Sequence, residues 1–375
     1  MNNSDVIVIG GGLVGTAVAY GLSRSGAQVS VLDEGDDAFR ASRGNFGLVW
    51  IQGKGYGFTP YANWSRRSAA LWPGLAAELA AATGVDVELQ QPGGFAFCLS
   101  EKEFVERGQR LQSIQDALNG DYPFAMLDHA ALKERLPEVG PNVVGASYTT
   151  MDGHANPLKL LRALYAACAG SGVKVHANCS VAKIEHADGI FTVRTKNRVF
   201  QAPKIVLSAG LGNRRLAEQV GLCAPVQPNR GQVLISERTR HFLSYPTMHV
   251  RQTGEGTIQL GDSLEDVGYD DSTTTDVLST IARRGIACFP VLAKLNLVRA
   301  WGALRVMSPD GFPIYQQSPT QPGAFVVTCH SGVTLAAAHV FEVAPWIHGG
   351  SAPEGIEVFA GDRFLNPEKK FNHAH

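Results

Sequence analysis

Asp5-Val6-Ile7-Val8-Ile9-Gly10-Gly11-Gly12-Leu13-Val14-Gly15 opens the first unit of the chain. The apolar run has strand length, and the glycines follow it without a spacer. Thr16 to Ser25, rich in Ala and Leu and closed by Gly26, reads as a helix. Gln28 to Leu32 is a second apolar strand that ends on Asp33-Glu34. The stretch predicts a βαβ unit with Gly-x-Gly-x-x-Gly and an acidic residue about twenty positions on, the pattern of a dinucleotide-binding turn. Gly10 permits the tight turn, Gly12 lets a pyrophosphate approach the backbone, and Gly15 lets helix and strand pack closely. Leu13 and Val14 stand at the helix start, where free N–H groups and the positive dipole end favour phosphate. Asp33 can accept hydrogen bonds from ribose hydroxyls, with Glu34 as its alternate, and a negative charge there disfavours a 2′-phosphate. On these residues alone, NAD(H) and FAD are both open.

Working outward, Ala41 to Gly55 holds Gly44, Gly47, Gly53 and Gly55 among Phe46, Leu48, Val49, Trp50 and Ile51. Such a loop suits a backbone lying against a flat or phosphorylated ligand. Ala62 to Ala82 has helical apolar spacing. Val87 to Leu89 and Phe95 to Leu99 read as strands, and Glu101 to Leu118 as an amphipathic helix whose mixed charges suggest a solvated face. Met151 to Pro157 is a turn in which Asn156 caps a helix that Pro157 begins. Val173 to His186 and Ile190 to Arg194 read as a strand and hairpin. Lys204 to Leu207 is a buried strand that enters the Ser208-Ala209-Gly210 turn. Strands are expected at Met248 to Arg251 and Thr257 to Leu260, and helices at Thr273 to Cys288 and Val333 to Trp346.

The 375 residues, 45% hydrophobic and 18% charged, suffice for two domains with a large core. A formal net charge of -1 gives no footprint for nucleic acid or an anionic membrane. No apolar run reaches spanning length, and no basic segment precedes the first apolar stretch, so neither a membrane span nor a signal peptide is expected. Six scattered cysteines without Cys-x-x-Cys favour reduced thiols in a cytoplasmic protein and give no metal site. The predicted architecture is α/β: a Rossmann-type dinucleotide domain from residues 1–55, 150–228 and 300–375. Interleaved with it is an α+β substrate domain from 56–149 and 229–299, containing an antiparallel sheet.

Several ordered blocks then resemble one family across nearly the whole chain. They are the N-terminal fingerprint, Asp152-Gly153…Pro157, Leu207-Ser208-Ala209-Gly210, Arg230-Gly231-Gln232, Leu260-Gly261-Asp262, Trp301 to Gly311 and His330-Ser331-Gly332-Val333-Thr334. The family is that of FAD-dependent amine and amino-acid oxidoreductases related to D-amino-acid oxidase, glycine oxidase and sarcosine oxidase. The resemblance implies FAD rather than NAD. It implies that the AMP half lies on the first βαβ unit, with the Val181 backbone near adenine. Ser42, Arg43, Asn45 and Gly47 would follow the pyrophosphate and flavin, and Ala209 and Gly210 would line the same cleft. Gly332, Val333 and Thr334 would place unpaired amides under the pyrimidine end of the ring, where reduced flavin carries negative charge. Cys329 does not match the covalent cysteine of sarcosine-oxidase-like enzymes, so FAD is expected to be non-covalent.

Arg305 matches the arginine that anchors a substrate carboxylate in these relatives, a task suited to a planar guanidinium. His330 is expected beside the flavin. His249 stands where several relatives have a substrate-contacting tyrosine, and Arg251 is a candidate to meet a second anionic group. The implied reaction is oxidation of the C–N bond of an amino acid or N-substituted amino acid by hydride transfer to flavin N5. The imine would hydrolyse to a 2-oxo acid. Two other readings stay open: an FAD-holding subunit that relays electrons or assembles a complex, and a flavin oxidoreductase of 2-hydroxy acids. Arg43 to Gly55 also resembles the loop of catalytic β subunits of opine oxidases and, less closely, of hydroxyproline dehydrogenases. That resemblance implies partner subunits in a hetero-oligomer.

Overall fold

Val6–Ile9 lies at the centre of the molecule, and all four of its side chains are buried. A strand covered on both faces reads as a continuous apolar run, as this one does. The computed structural model describes residues 4–35 and 40–366. In it, Val6–Ile9 pairs in parallel with Val29–Leu32 on one side and Lys204–Leu207 on the other. The six-stranded sheet runs in the order Ile314–Gln317, Ala324–Thr328, Lys204–Leu207, Val6–Ile9, Val29–Leu32 and Lys174–His176. Only Ile314–Gln317 is antiparallel to its neighbour. The helices Leu13–Arg24, Thr59–Thr83 and Pro157–Gly170 share one core cluster with the C-terminal helical segment on one side of this sheet. The opposite side is filled by a second cluster that includes Phe191, Phe200 and Leu216.

A second body of sheet is antiparallel. Gln227–Arg238 pairs with Leu297–Met307 and with Thr257–Leu260, which in turn pairs with Val250–Gln252. Gly94–Cys98, Gly145–Thr149 and Ala125–Asp128 form a further antiparallel sheet. The two sheets meet where Phe95 bridges Thr247. Phe95, Phe97 and Phe289 pack at this junction with the helix Thr275–Cys288 and form a third core. The strand Leu297–Met307 belongs to the antiparallel body, yet near its end Val306 packs into the second core cluster under the parallel sheet, and Leu304 bridges Arg40.

Several elements depart from their expected bounds. Val87–Leu89 is not a strand, because Glu88 takes φ +56° and its amide bonds to Asp86 Oδ1 at 2.8 Å in a local turn. Val173–His186 divides into Lys174–His176 in the parallel sheet and Val181–Ala187 in a separate one, with Asn178 at φ +56° between them. The strand expected from Met248 begins at Val250, since Thr247 Oγ1 bonds both the Val250 amide and carbonyl and folds the approach into a turn. The last helix begins at Ala336, with a turn over Ser331–Leu335 and a π-helical segment at His339–Val343. The predicted cap is present: Asn156 Oδ1 accepts from the Leu158 and Lys159 amides at 3.2 Å each. Among the described residues, no helix is long and apolar enough to cross a membrane.

Candidate active site

The parallel register brings four turns to one edge. Ile9 lies opposite Leu32 and Leu207, so Gly10, Asp33 and Ser208 leave the sheet side by side. The next strand ends at Thr328 and leads into Cys329–Thr334. From the central Val6–Ile9 the sheet grows in both directions, which creates the switch point outside whose carboxyl edge open α/β sheets bind ligands. Gly10 takes φ +108°, and a Cβ there would overlap the Ser208 carbonyl. A Cβ at Gly15 would overlap the Gly10 carbonyl, and one at Gly12 would lie 2.8 Å from Ser42 Oγ. That same Oγ accepts from the Leu13 amide at 2.9 Å.

Asp33 uses both oxygens on backbone, Oδ2 for Gly11 at 2.7 Å and Oδ1 for Gly35 at 3.0 Å. Each retains a lone pair for a hydroxyl donor. Glu34 is ion-paired with Arg40, both side chains being about half exposed. The Asp33 carbonyl accepts from Cys179 at 2.7 Å, which draws the segment leading to buried Val181 alongside. Val181's own carbonyl accepts from Arg215 at 2.8 Å. Gly210 takes φ +56°, and the Ala209 amide is held by Asn213 Oδ1 at 2.8 Å.

The glycine-rich loop is pinned at several points. Asn45 Oδ1 accepts from the Gly47 amide at 2.7 Å, and Gly47 at φ +92° has no room for a side chain beside Ala155 and Pro157. Arg43 is exposed. Thr334 Oγ1 accepts from the Trp50 amide at 3.1 Å and donates to the Leu48 carbonyl at 3.2 Å, so the loop is fixed to the final turn. From the other side, buried Asp152 accepts from the Ile51 amide at 2.5 Å and from Gln52 Nε2 at 2.6 Å. Burial lifts the Asp152 carboxyl to about 7, against the pull of those bonds. From sequence this residue marks a turn and one block of the family resemblance, with no task assigned to its carboxylate.

A cavity of about 320 Å³ opens between this loop, the antiparallel sheet and the Ser331–Thr334 turn. Lys54, Arg107, Arg110 and Arg305 line it, and Asp262 is the only carboxylate among the described residues of its wall. Trp50 Nε1 is buried without a hydrogen-bond partner among the described residues. The backbone hydrogen bonds of the final turn leave the Gly332, Val333 and Thr334 amides without an acceptor among the described residues. Polar groups left open toward a cavity fit a polar ligand.

Arg305 reaches this cavity. Its Nη1 donates to Asn229 Oδ1 at 3.1 Å and to the Ser263 carbonyl at 2.8 Å, while Nη2 pairs with Asp262. His330 also lines the wall, with Nε2 3.1 Å from Ser331 Oγ. The structure does not bring His249 and Arg251 into the cavity wall; on that segment Met248 lines it instead. Burial, assisted by Arg284, pushes His249 below the ordinary histidine range. Arg251 is sealed at 4% exposure, its Nε bonded to Gln259 Oε1 at 2.9 Å and its Nη1 3.3 Å from His154 Nδ1. It lies 5.9 Å from the Phe46 ring, and burial lowers its pKa to about 10.

Three cations of the wall, Lys54, Arg107 and Arg110, are absent from the sequence-based candidates. Lys54 Nζ donates to Tyr61 OH at 3.0 Å and to Ser331 Oγ, joining the glycine loop to the final turn. Arg107 donates from Nε to Ser147 Oγ and from Nη2 to Gln52 Oε1 at 3.2 Å. Its inward direction has a sequence signal: Arg107, Leu111 and Ile114 fall on one helical stripe, and the latter two are buried.

The same architecture recurs among known proteins. The family described as FAD dependent oxidoreductase matches residues 5–344. The chain is 44% identical over 365 residues to an opine oxidase subunit of Agrobacterium tumefaciens (strain Ach5), covering 97% of this chain and 98% of that one. It is 28% identical over 351 residues to glycine oxidase of Pseudomonas putida (strain KT2440), covering 90% and 92%. Among solved structures, glycine oxidase from Geobacillus kaustophilus superposes with a TM-score of 0.89 at 22% identity, over 96% of this chain and 98% of that one.

Proposed function

The chain belongs to the family of FAD-dependent oxidoreductases, and on that premise we propose that it oxidises the C–N bond of an amino acid or N-substituted amino acid held by its carboxylate. The observation that carries the reading is Arg305 in the cavity wall, with Nη1 tied to the scaffold and Nη2 facing the carboxylate of Asp262. A substrate carboxylate has the same charge and geometry as Asp262 and can take its place.

The residues present fit FAD. Those that would hold it are Gly10, Gly12, Leu13, Val14 and Gly15 at the first turn, Asp33 at the ribose, and Ser42, Asn45 and Gly47 along the loop. The close contacts around Gly10, Gly12 and Gly15 leave backbone where a pyrophosphate needs it. The open amides of Gly332, Val333 and Thr334 suit an anionic ring edge. Non-covalent attachment is supported by Cys329, whose thiol burial pushes up to about 12 and so keeps protonated.

The chemistry that FAD supplies when bound is acceptance of a hydride equivalent from the carbon bearing the nitrogen. Arg305 orients that carbon by fixing the carboxylate beside it. Four cationic side chains facing a single carboxylate lower the pKa of an amine among them, so the reactive neutral amine is favoured without a strong general base. The imine then takes up water to give a 2-oxo acid and an amine or ammonia.

The similarity to an opine oxidase subunit supports assembly with partner subunits and an opine-like or imino-acid substrate. Six free cysteines, with no disulfide among the described residues, support a cytoplasmic location. The test is anaerobic: FAD-loaded protein is mixed with a panel of amino acids, N-alkyl amino acids and 2-hydroxy acids, and loss of flavin absorbance is followed. Bleaching by carboxylated amines alone supports C–N oxidation. Bleaching by hydroxy acids alone, or by nothing in the panel, contradicts it.

A further inference from the structure

Asp262 answers Arg305, but no carboxylate among the described residues of the cavity wall answers Arg107. This guanidinium is held by neutral partners, Ser147 Oγ and Gln52 Oε1. Asp152 lies on the far side of Gln52 and spends its oxygens on the Ile51 and Gln52 N–H groups, so it forms no hydrogen bond with Arg107. Desolvation lowers the Arg107 pKa and outweighs the opposing pull of Cys98 and Asp152, so nearby protein charge does not make up for the lost water. A cation in such a place is costly unless an anion joins it, and a cavity-lining position gives the anion a way in.

Arg107 and Arg305 are held by different bodies of the fold. Arg107 comes from the helix Glu101–Ala117 and is steadied by the strand Gly145–Thr149, whereas Arg305 comes from the strand Leu297–Met307. Both line the same cavity, and half-buried His249 lies close enough to be influenced by both Asp262 and Arg107. Each guanidinium is positioned by its own hydrogen bonds and does not depend on the other. This is how two separate anion sites in one pocket are built.

We propose that Arg107 is a second carboxylate-binding residue of this cavity, so that the preferred substrates are amines bearing two carboxylates, one on Arg305 and one on Arg107. The inference rests on the C–N oxidation reading for the word substrate and on the cavity wall alone for the second anion. It assigns to Arg107 the part that sequence reasoning gave to Arg251, which is sealed behind Phe46. N-carboxyalkyl amino acids have the required chemistry: a secondary amine flanked by two carboxylates. Glycine or N-methylglycine would satisfy Arg305 and leave Arg107 unanswered.

The test uses the full FAD-loaded chain and non-reacting anions. Propionate, succinate and glutarate are titrated while the flavin absorbance spectrum is recorded, in the wild type and in Arg107→Gln and Arg107→Lys. The expected result is that the better of the two dicarboxylates binds about tenfold or more tightly than propionate in the wild type, the scale of one charge-assisted hydrogen bond. Arg107→Gln should erase that preference while changing propionate binding by less than about twofold, and Arg107→Lys should restore part of it. Equal binding of mono- and dicarboxylates by the wild type overturns the proposal, even if Arg107→Gln does not fold. Equal weakening of all three anions in Arg107→Gln also overturns it. If dicarboxylates are preferred but no carboxylated amine reduces the flavin, the second subsite stands and the reaction assignment fails.

Discussion

Asp262 pairs with Arg305 in a cavity wall where it is the only carboxylate among the described lining residues. The pair is not sealed: the Asp262 side chain is 38% exposed and that of Arg305 20%. Asp262 thus behaves as an internal stand-in for a ligand carboxylate. A half-exposed ion pair is worth about 0.2–1 kcal/mol, weak enough for a well-placed ligand to displace. Replacing Asp262 with Asn should free Arg305 Nη2 and tighten propionate binding by up to about fivefold. Titration monitored by flavin absorbance checks this. Weaker propionate binding in Asp262→Asn would mean that Asp262 positions Arg305 and does not compete for it.

Gly15 is the most constrained glycine of the first turn, since a Cβ there would overlap the Gly10 carbonyl, which is backbone and cannot rotate away. Gly15→Ala should cost about 1–3 kcal/mol of stability by overpacking and should emerge from purification depleted in FAD. Thermal unfolding of the apo-protein with and without added FAD measures both effects. A variant with wild-type stability and full flavin content would remove Gly15 from the proposed pyrophosphate cradle.

The first βαβ unit was legible in sequence because everything that shapes it is local: a buried strand, three glycines that must stay bare, and an acid after the next strand. Arg305 was singled out by its block of the family resemblance, and the fold sets it in the cavity wall. The rest of the site depends on pairing at long range. Lys54 looked like one more residue of a glycine loop until the fold set it against Tyr61 and Ser331. Arg107 lay among the mixed charges of an amphipathic helix, and its alignment with Leu111 and Ile114 was the only hint that it turns inward. Arg251 shows the converse error. Its place beside the position matched to the relatives' tyrosine suggested a second anion site, but the hydrogen bonds to Gln259 and His154 hold it in the layer behind.

His339 gives the fold a defined acid sensitivity. It is buried in the π-helical segment, with Nε2 2.9 Å from Tyr315 OH and Nδ1 without a partner among the described residues. Burial lowers its pKa from the ordinary 6.5 to about 3. Below pH 6.5 the unfolded chain therefore binds a proton that the folded chain refuses, and stability falls as pH drops through that window toward 3. The slope is about 1.4 kcal/mol per pH unit for one group. Asp152 acts in the opposite sense, since its raised pKa makes the folded chain take up a proton between about 7 and 3.8 as pH falls. Urea midpoints of wild type and His339→Gln between about pH 7.5 and 5 separate the two. The stability difference between them should shrink steadily as pH falls; a constant difference would exclude His339 as the source.

Lys54 has no carboxylate partner among the described residues and reaches the final turn through Ser331 Oγ, beside the open amides of Val333 and Thr334. A cation there should stabilise the negatively charged reduced flavin. Lys54→Met should lower the two-electron midpoint potential by about 30 mV, the equivalent of about 1.4 kcal/mol. Dye-equilibrated potentiometry checks this, and an unchanged potential would confine Lys54 to holding the loop against the turn.

In the proposed reaction a carboxylate on Arg305 places a C–N bond for oxidation. A single-turnover experiment tests it most directly. FAD-loaded wild type and Arg305→Ala are mixed anaerobically with an N-carboxyalkyl amino acid, and flavin reduction is followed while 2-oxo acid is quantified. The wild type should release about one 2-oxo acid per flavin reduced, as each turnover transfers one hydride equivalent. Arg305→Ala should keep its FAD and reduce it at least about a hundredfold more slowly, the loss expected when a positioning contact is removed. Reduction without 2-oxo acid, or an Arg305→Ala variant that reduces its flavin at the wild-type rate, would contradict the account.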